Sequence, residues 1–302
     1  MRASRSTEPP VERFRPLDRC GFAPPSGGFL PRAPIDSRRV RQLLAQAIPS
    51  YGGAGLAELA ADPFPAVVLA ASVAAGAISA VAGFGIGSVL TPVVATRYDL
   101  QLAVAAVSLP HVVGTAVRFA MLRRHIDRDV LVRFGIPSAL GGLAGATLQS
   151  VAGGPLLAVV FGGLLLFAGL GGITGFSQRM RFGARVAWFG GLASGLLGGL
   201  VGNQGGIRSA ALLGFDVERD AFVATATAVA LVVDGARIPV YLATQGARLG
   251  PLAFPIVLAT AGVVAGTIVG GVLLRRLPES VFRRVVGLLL LALGLYTLAR
   301  LG

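Results

Sequence analysis

From Phe64 onward the chain alternates long apolar runs with short polar or glycine-rich breaks. A helix needs about 20 apolar residues to cross the hydrocarbon core of a bilayer, and these runs have that length. Phe64–Ala82 reads as a first span, followed by Leu100–Leu122, Val130–Val151 and Pro155–Ile173. After a polar connection, Gly175–Arg185, the pattern restarts with Val186–Val201, Ala221–Leu242, Pro251–Leu274 and Val285–Leu301. In each series a half-length piece follows the first run: Phe84–Thr96 and Gln204–Leu213. The count is eight full spans, or ten if both short pieces cross. The pattern predicts an all-α, polytopic membrane helical bundle.

The half-length pieces lie in two related stretches, GAISAVAGFGIGSVLTPVV from Gly76 to Val94 and GLLGGLVGNQGGIRSAALL from Gly195 to Leu213. Gly83, Gly85, Gly87 and Pro92 weaken a continuous helix in the first. A shift of 119 residues places Gly83 on Gly202, Gly87 on Gly206 and Arg118 on Arg237. A further slip of two aligns Gly141 and Gly145 with Gly262 and Gly266. The chain therefore reads as two repeats, 64–174 and 186–302, each with a broken helix. Glycine-broken segments at matching places in two halves are the sequence pointer to a transporter's central site.

The repeats are expected to be inverted. Arg123, Arg124, Arg128 and Arg133 crowd one loop of the first half, whereas its counterpart, Ala243–Gly250, has only Arg248. Conversely Gln149–Pro155 has none, and its counterpart has Arg275, Arg276, Arg283 and Arg284. Cytoplasmic loops collect arginine, so the basic side swaps between the halves. Residues 1–62 stand apart from the transporter domain, 63–302. Met1–Arg41 is rich in Arg, Pro and Ser without an apolar run, which predicts a disordered, cytoplasm-like tail. Ser50–Ala61 reads as a short surface helix. The basic tail argues for a cytoplasmic N-terminus and conflicts with the loop count; long tails follow that rule less well than short loops.

Composition agrees with a membrane protein. The chain has 302 residues, 54% of them hydrophobic and 14% charged, with mean hydropathy +0.75. A soluble domain could not hide that much apolar surface. The net charge of +13 comes wholly from arginine, there being no lysine; it belongs to loops rather than to a nucleic-acid surface. A single cysteine, Cys20, excludes an intrachain disulfide or a cysteine metal cluster.

The GFGIGSVLTPVV segment, the glycine-rich opening of the second half and the two-half layout resemble the TauE/SafE family of membrane transporters, over roughly Phe64 to Gly302. The chain departs from the family pattern in having Ala211 where Pro92 aligns. The resemblance implies secondary export of small anions, sulfite or organosulfonates, driven by an ion gradient. It also implies a cell-membrane location.

Candidate site residues follow. Gly85, Gly87 and Ser88 in half one, and Asn203, Gln204, Gly205 and Gly206 in half two, could offer half-helix N-termini to an anion. The competing reading of such glycines is tight helix packing. Arg118 and Arg237 lie inside apolar runs, where a charge is costly and marks function by default. Their guanidinium forks suit an oxyanion; the competing reading is snorkelling to the headgroups. Asp234 lies three residues before Arg237, on one helix face, as an ion pair or as a proton-coupling acid. His111, mid-span, is either a second proton-coupling group or a packed histidine. With His125 as the only other histidine, no metal site is called for. GFGIGS lacks the strand of a dinucleotide site, and Gly198–Gly206 lacks the Lys-Ser/Thr ending of a phosphate loop, so no cofactor and no ATP site is expected. The partners expected are the lipid bilayer and a small anionic substrate; self-association into a homo-oligomer stays open. A passive anion channel and a non-catalytic scaffold remain rivals. Acids within the spans are nearly confined to Asp234, which speaks against an enzyme.

Overall fold

The computed structural model describes residues 62–175, 184–203, 205–212, 219–273 and 278–300. The expected tail, apart from Asp62, the surface helix Ser50–Ala61, the arginines 179 and 181 and the candidate Gln204 lie outside the described residues.

The described residues form helices joined by short turns. Half one holds α1 (Phe64–Ala82), α2 (Ile86–Val94), α3 (Leu100–Leu122), α4 (Arg128–Val151) and α5 (Gly154–Thr174). Half two holds α6 (Ala184–Val201), α7 (Gly205–Leu212), α8 (Arg219–Gln245), α9 (Ala253–Leu273) and α10 (Glu279–Ala299). Seven are long and apolar enough to cross a membrane, and α6 adds a shorter apolar stretch, Trp188–Val201. The protein is a multi-pass membrane protein. Local chemistry sets several ends. Asp99 and Asp127 cap α3 and α4 by accepting the N–H groups of Leu102 and Val130, each at 3.0 Å.

Each glycine break turns the chain back on itself. α1 stops at Gly83, whose φ of 80° is left-handed and whose N–H returns to the Ser79 carbonyl at 3.0 Å. Gly85, at φ 130°, completes the reversal, in a conformation that a side chain would strain. α2 then runs back along α1. Arg97 pairs with Asp62, and the Tyr98 ring meets Phe64, 6.1 Å between centroids, so the end of α2 lies beside the start of α1. Gly202, at φ 73° with its N–H to Gly198, ends α6 in the same way.

The halves are inverted and interlocked. α3 and α8 run antiparallel through the centre. Arg118 bonds Thr227, His111 meets Asp234, and Asp99 pairs with Arg248, in an order that ascends one helix and descends the other. α4 packs along α6, and α9 packs along α1, so each half's fourth helix lies on the other half's first. These contacts are glycine seams. A Cβ at Gly141 would strike the Leu192 carbonyl, and one at Gly266 would strike the Val73 carbonyl. Outside this core α5 and α10 pair with each other, Gly169 against Gly287 and Gly162 against Gly294.

The contacts correct one part of the sequence alignment. Gly141 and Gly145 correspond in packing to Gly266 and Gly270, not to Gly262 and Gly266. The second half carries an extra turn where α8 passes into α9, in the short helical turns Gly246–Arg248 and Gly250–Leu252. A slip read from glycines alone misses it, because glycines one helical turn apart look alike.

Candidate functional site

The two breaks meet in the interior. The Ser88 hydroxyl donates to the Asn203 side-chain carbonyl at 3.1 Å, joining the first turn of α2 to the residue before α7. Gly87 lies against the Gly202 carbonyl, and Gly205 against Phe84, so closely that a Cβ at either would overlap its neighbour. Around this meeting point lies a small hollow, open at its mouth. Its polar wall is made by Ser79, Ser88, His111, Arg118, Asn203 and Arg208. Gly85, Gly87, Gly202 and Gly205 bring backbone to its edge. Gly206 falls in the first turn of α7.

Arg118 and Arg237 occupy matching places and do matching things. Arg118 Nη1 donates to the Ser79 carbonyl at 2.5 Å and to its hydroxyl at 2.7 Å, while Nη2 reaches the Gly83 carbonyl at 3.0 Å. Its Nε donates to Thr227 at 2.9 Å. Arg237 Nη1 donates to the Gly198 carbonyl at 2.5 Å. Ser79 and Gly198 are themselves 119 residues apart. Each arginine thus caps the carbonyl end of a broken helix, where the dipole is negative. Both are buried, at 4% and 1% exposure, so neither snorkels toward the headgroups.

Their remaining donors differ. Arg237 Nε and Nη2 both bond Asp234 Oδ1, at 2.9 and 2.8 Å, and its guanidinium lies 5.9 Å over the Tyr241 ring. The Tyr241 hydroxyl donates to the Gly199 carbonyl. Arg237 does not line the hollow. The other oxygen of Asp234 meets His111 Nδ1 at 2.8 Å, so one fully buried carboxylate ties α3 to α8. A carboxylate can only accept here, so Nδ1 carries the hydrogen and Nε2 is left free. His111 reaches the hollow; Asp234 does not.

Arg208 is the residue that sequence reasoning passed over. It sits on α7, 3% exposed, and lines the hollow. Its Nη1 donates to the Ala226 carbonyl at 3.1 Å, but Nε and Nη2 have no hydrogen-bond partner. Asn203 Nδ2, at the same wall, is also unpartnered. A buried cation with unmet donors is expensive, and an unpartnered amide on the same wall adds to the cost. The signal available in the sequence was an arginine inside a half-length apolar piece, six residues after a glycine break. Among the described residues no cluster of His, Cys, Asp or Glu could hold a metal.

The family model described as Sulfite exporter TauE/SafE matches residues 68–297, most of the chain. No curated protein and no solved structure matches it.

Proposed function

The chain belongs to the sulfite exporter TauE/SafE family of membrane transporters, and on that premise we propose that it is a secondary carrier of small sulfur oxyanions, sulfite or an organosulfonate, which it exports. The observation that supports the reading is the Arg208 guanidinium, buried beside the hollow with two unpartnered donors, together with the unpartnered side-chain amide of Asn203. A guanidinium fork and a planar amide suit the oxygens of a sulfite or sulfonate head. The N-terminal ends of α2 and α7 add positive dipole ends at Gly85–Ser88 and Gly205. Arg118, already committed to carbonyls, supplies fixed positive potential, and Arg237 holds the scaffold.

Transport follows from the inverted halves. Each half donates a broken hairpin to the central site and a long helix to the other half's flank. Rocking of one interlocked unit against the other exposes the hollow to alternate sides. Arg123, Arg124, Arg128, Arg133 and Arg284 gather at one end, against Arg97, Arg248 and Arg300 at the other, which supports placing the first end in the cytoplasm.

The test is flux of sulfite and of methanesulfonate into proteoliposomes. Saturable flux that trans-anion accelerates, and that Arg208→Leu removes, supports the carrier. Flux rising linearly with anion and insensitive to trans-anion makes it a channel. Full flux in Arg208→Leu removes the site.

A further inference from the structure

The hollow carries one group that anion binding alone does not use. His111 stands at its wall, held through Nδ1 by Asp234, whose other oxygen is held by Arg237. The carboxylate satisfies one ring nitrogen, and the ring also reaches the hollow. Resting on the anion reading above, we propose that His111 takes up one proton with each anion, so that the protein is a proton-coupled anion carrier whose proton site is the His111–Asp234 pair and whose export runs down the outward gradient of the anion itself.

The chemistry is simple proton transfer. From the side to which the hollow is open, a proton adds to the free Nε2 of His111, giving an imidazolium paired with the Asp234 carboxylate. After the hollow turns to the other side, the same proton leaves Nε2 to that solution. The charged groups around the ring are few. From α8 it faces Asp234 and Arg237, from α7 Arg208, and on its own helix Arg118, one turn and three residues further on, lines the same hollow. An anion seated on Arg208 and Asn203 adds a negative charge beside the ring and so favours a proton on His111. Binding linkage is reciprocal, so the proton then strengthens the anion by the factor the anion strengthens the proton. Asp234 is a positioning residue: it fixes the ring and its tautomer and does not touch the anion. The dyad is asymmetric by sequence, since the 119-residue shift puts Ala230 on His111 and Thr115 on Asp234. Among the described residues the pair has no counterpart at the matching places of the two halves.

Methanesulfonate is the discriminating probe, because its charge does not change between pH 5 and 8. Proteoliposomes loaded with a pH dye receive an outward or inward methanesulfonate gradient, and anion and proton movement are recorded together. Wild type is expected to move one proton per anion in the same direction, with apparent affinity falling as pH rises through the histidine range. His111→Gln is expected to carry anion more slowly, with no accompanying proton and no pH dependence over that range. Asp234→Asn should shift the pH profile and lower the proton-to-anion ratio while retaining part of the flux. Anion flux without proton movement in wild type overturns the inference, and needs no variant. A His111→Gln protein that still moves one proton per anion overturns it equally. Loss of all methanesulfonate and sulfite flux in wild type would instead remove the anion reading beneath it, a separate and visible failure.

Discussion

The two breaks share a scaffold and differ in chemistry. At each, a left-handed glycine ends a helix, and a buried arginine from the third helix of the same half caps the freed carbonyls: Arg118 on Ser79, Arg237 on Gly198. Around that common frame the side chains diverge. Half two has Arg208 where the shift puts Val89, and Asp234 where it puts Thr115, while half one has His111 where half two has Ala230. Inversion gives the hollow its place, since opposed hairpins bring two helix N-termini together. Asymmetry gives its wall an unpartnered guanidinium, since only half two carries an arginine at that place.

The comparison can be broken most severely at Asp234. Asp234→Ala leaves Arg237 and His111 without their shared carboxylate in the interior, and should cost about 3–5 kcal/mol. Thr115→Ala, at the matching place in half one, should cost about 1 kcal/mol. Thermal unfolding in detergent measures both; equal losses would mean that the two frames bear the same electrostatic strain. Arg208→Leu should act on transport alone. Removing charge-assisted bonds to the anion should cut flux roughly tenfold to hundredfold. Unfolding temperature should hold or rise, because an unmet buried cation is removed. A lower unfolding temperature with flux retained would make Arg208 a structural group.

A third substitution sharpens the claim that the hairpins meet. Gly87→Ala drives a methyl into the Gly202 carbonyl and should cost about 1–3 kcal/mol. Gly163→Ala, whose Cβ meets open space, should be close to neutral. The smallest effect lies at the surface, where the halves touch outside the core. Burial pulls the Asp99 carboxyl upward, but the Leu102 N–H and Arg248 outweigh it and hold the pKa below the ordinary value. A depressed carboxyl stabilises above the ordinary carboxylate range, near pH 4, and the contribution is lost as pH falls through the folded value. The pair is about half exposed, so Arg248→Ala should cost no more than about 1 kcal/mol, and the loss should vanish in acid.

Much of the bundle was readable from hydrophobic lengths. Phe64–Ala82 and Leu100–Leu122 are helices with the expected ends. α10 begins at Glu279, six residues before the apolar run, because a helix can continue into its polar turn while a hydropathy reading sees only the part in lipid. The half-length pieces were legible as breaks, but hydropathy could not say whether they cross; the Arg97–Asp62 and Tyr98–Phe64 contacts show that the first one turns back. Arg237 and Asp234 were legible as a pair from their spacing of three. Arg208 was not singled out, because whether a buried arginine is spent or free depends on which carbonyls surround it.

The sequence alone determined that the chain lives in a membrane, that its halves are related and where the helices fail. Length, apolar content and the positions of glycine act locally, and local causes can be read along a chain. Only the tertiary structure decided that two failures 119 residues apart share one hollow, that Arg118 and Arg237 close the scaffold while Arg208 keeps unpartnered donors, and that His111 in one half rests on Asp234 in the other. Those outcomes depend on distances across the bundle, and a hydrogen bond between halves leaves no periodic trace in either.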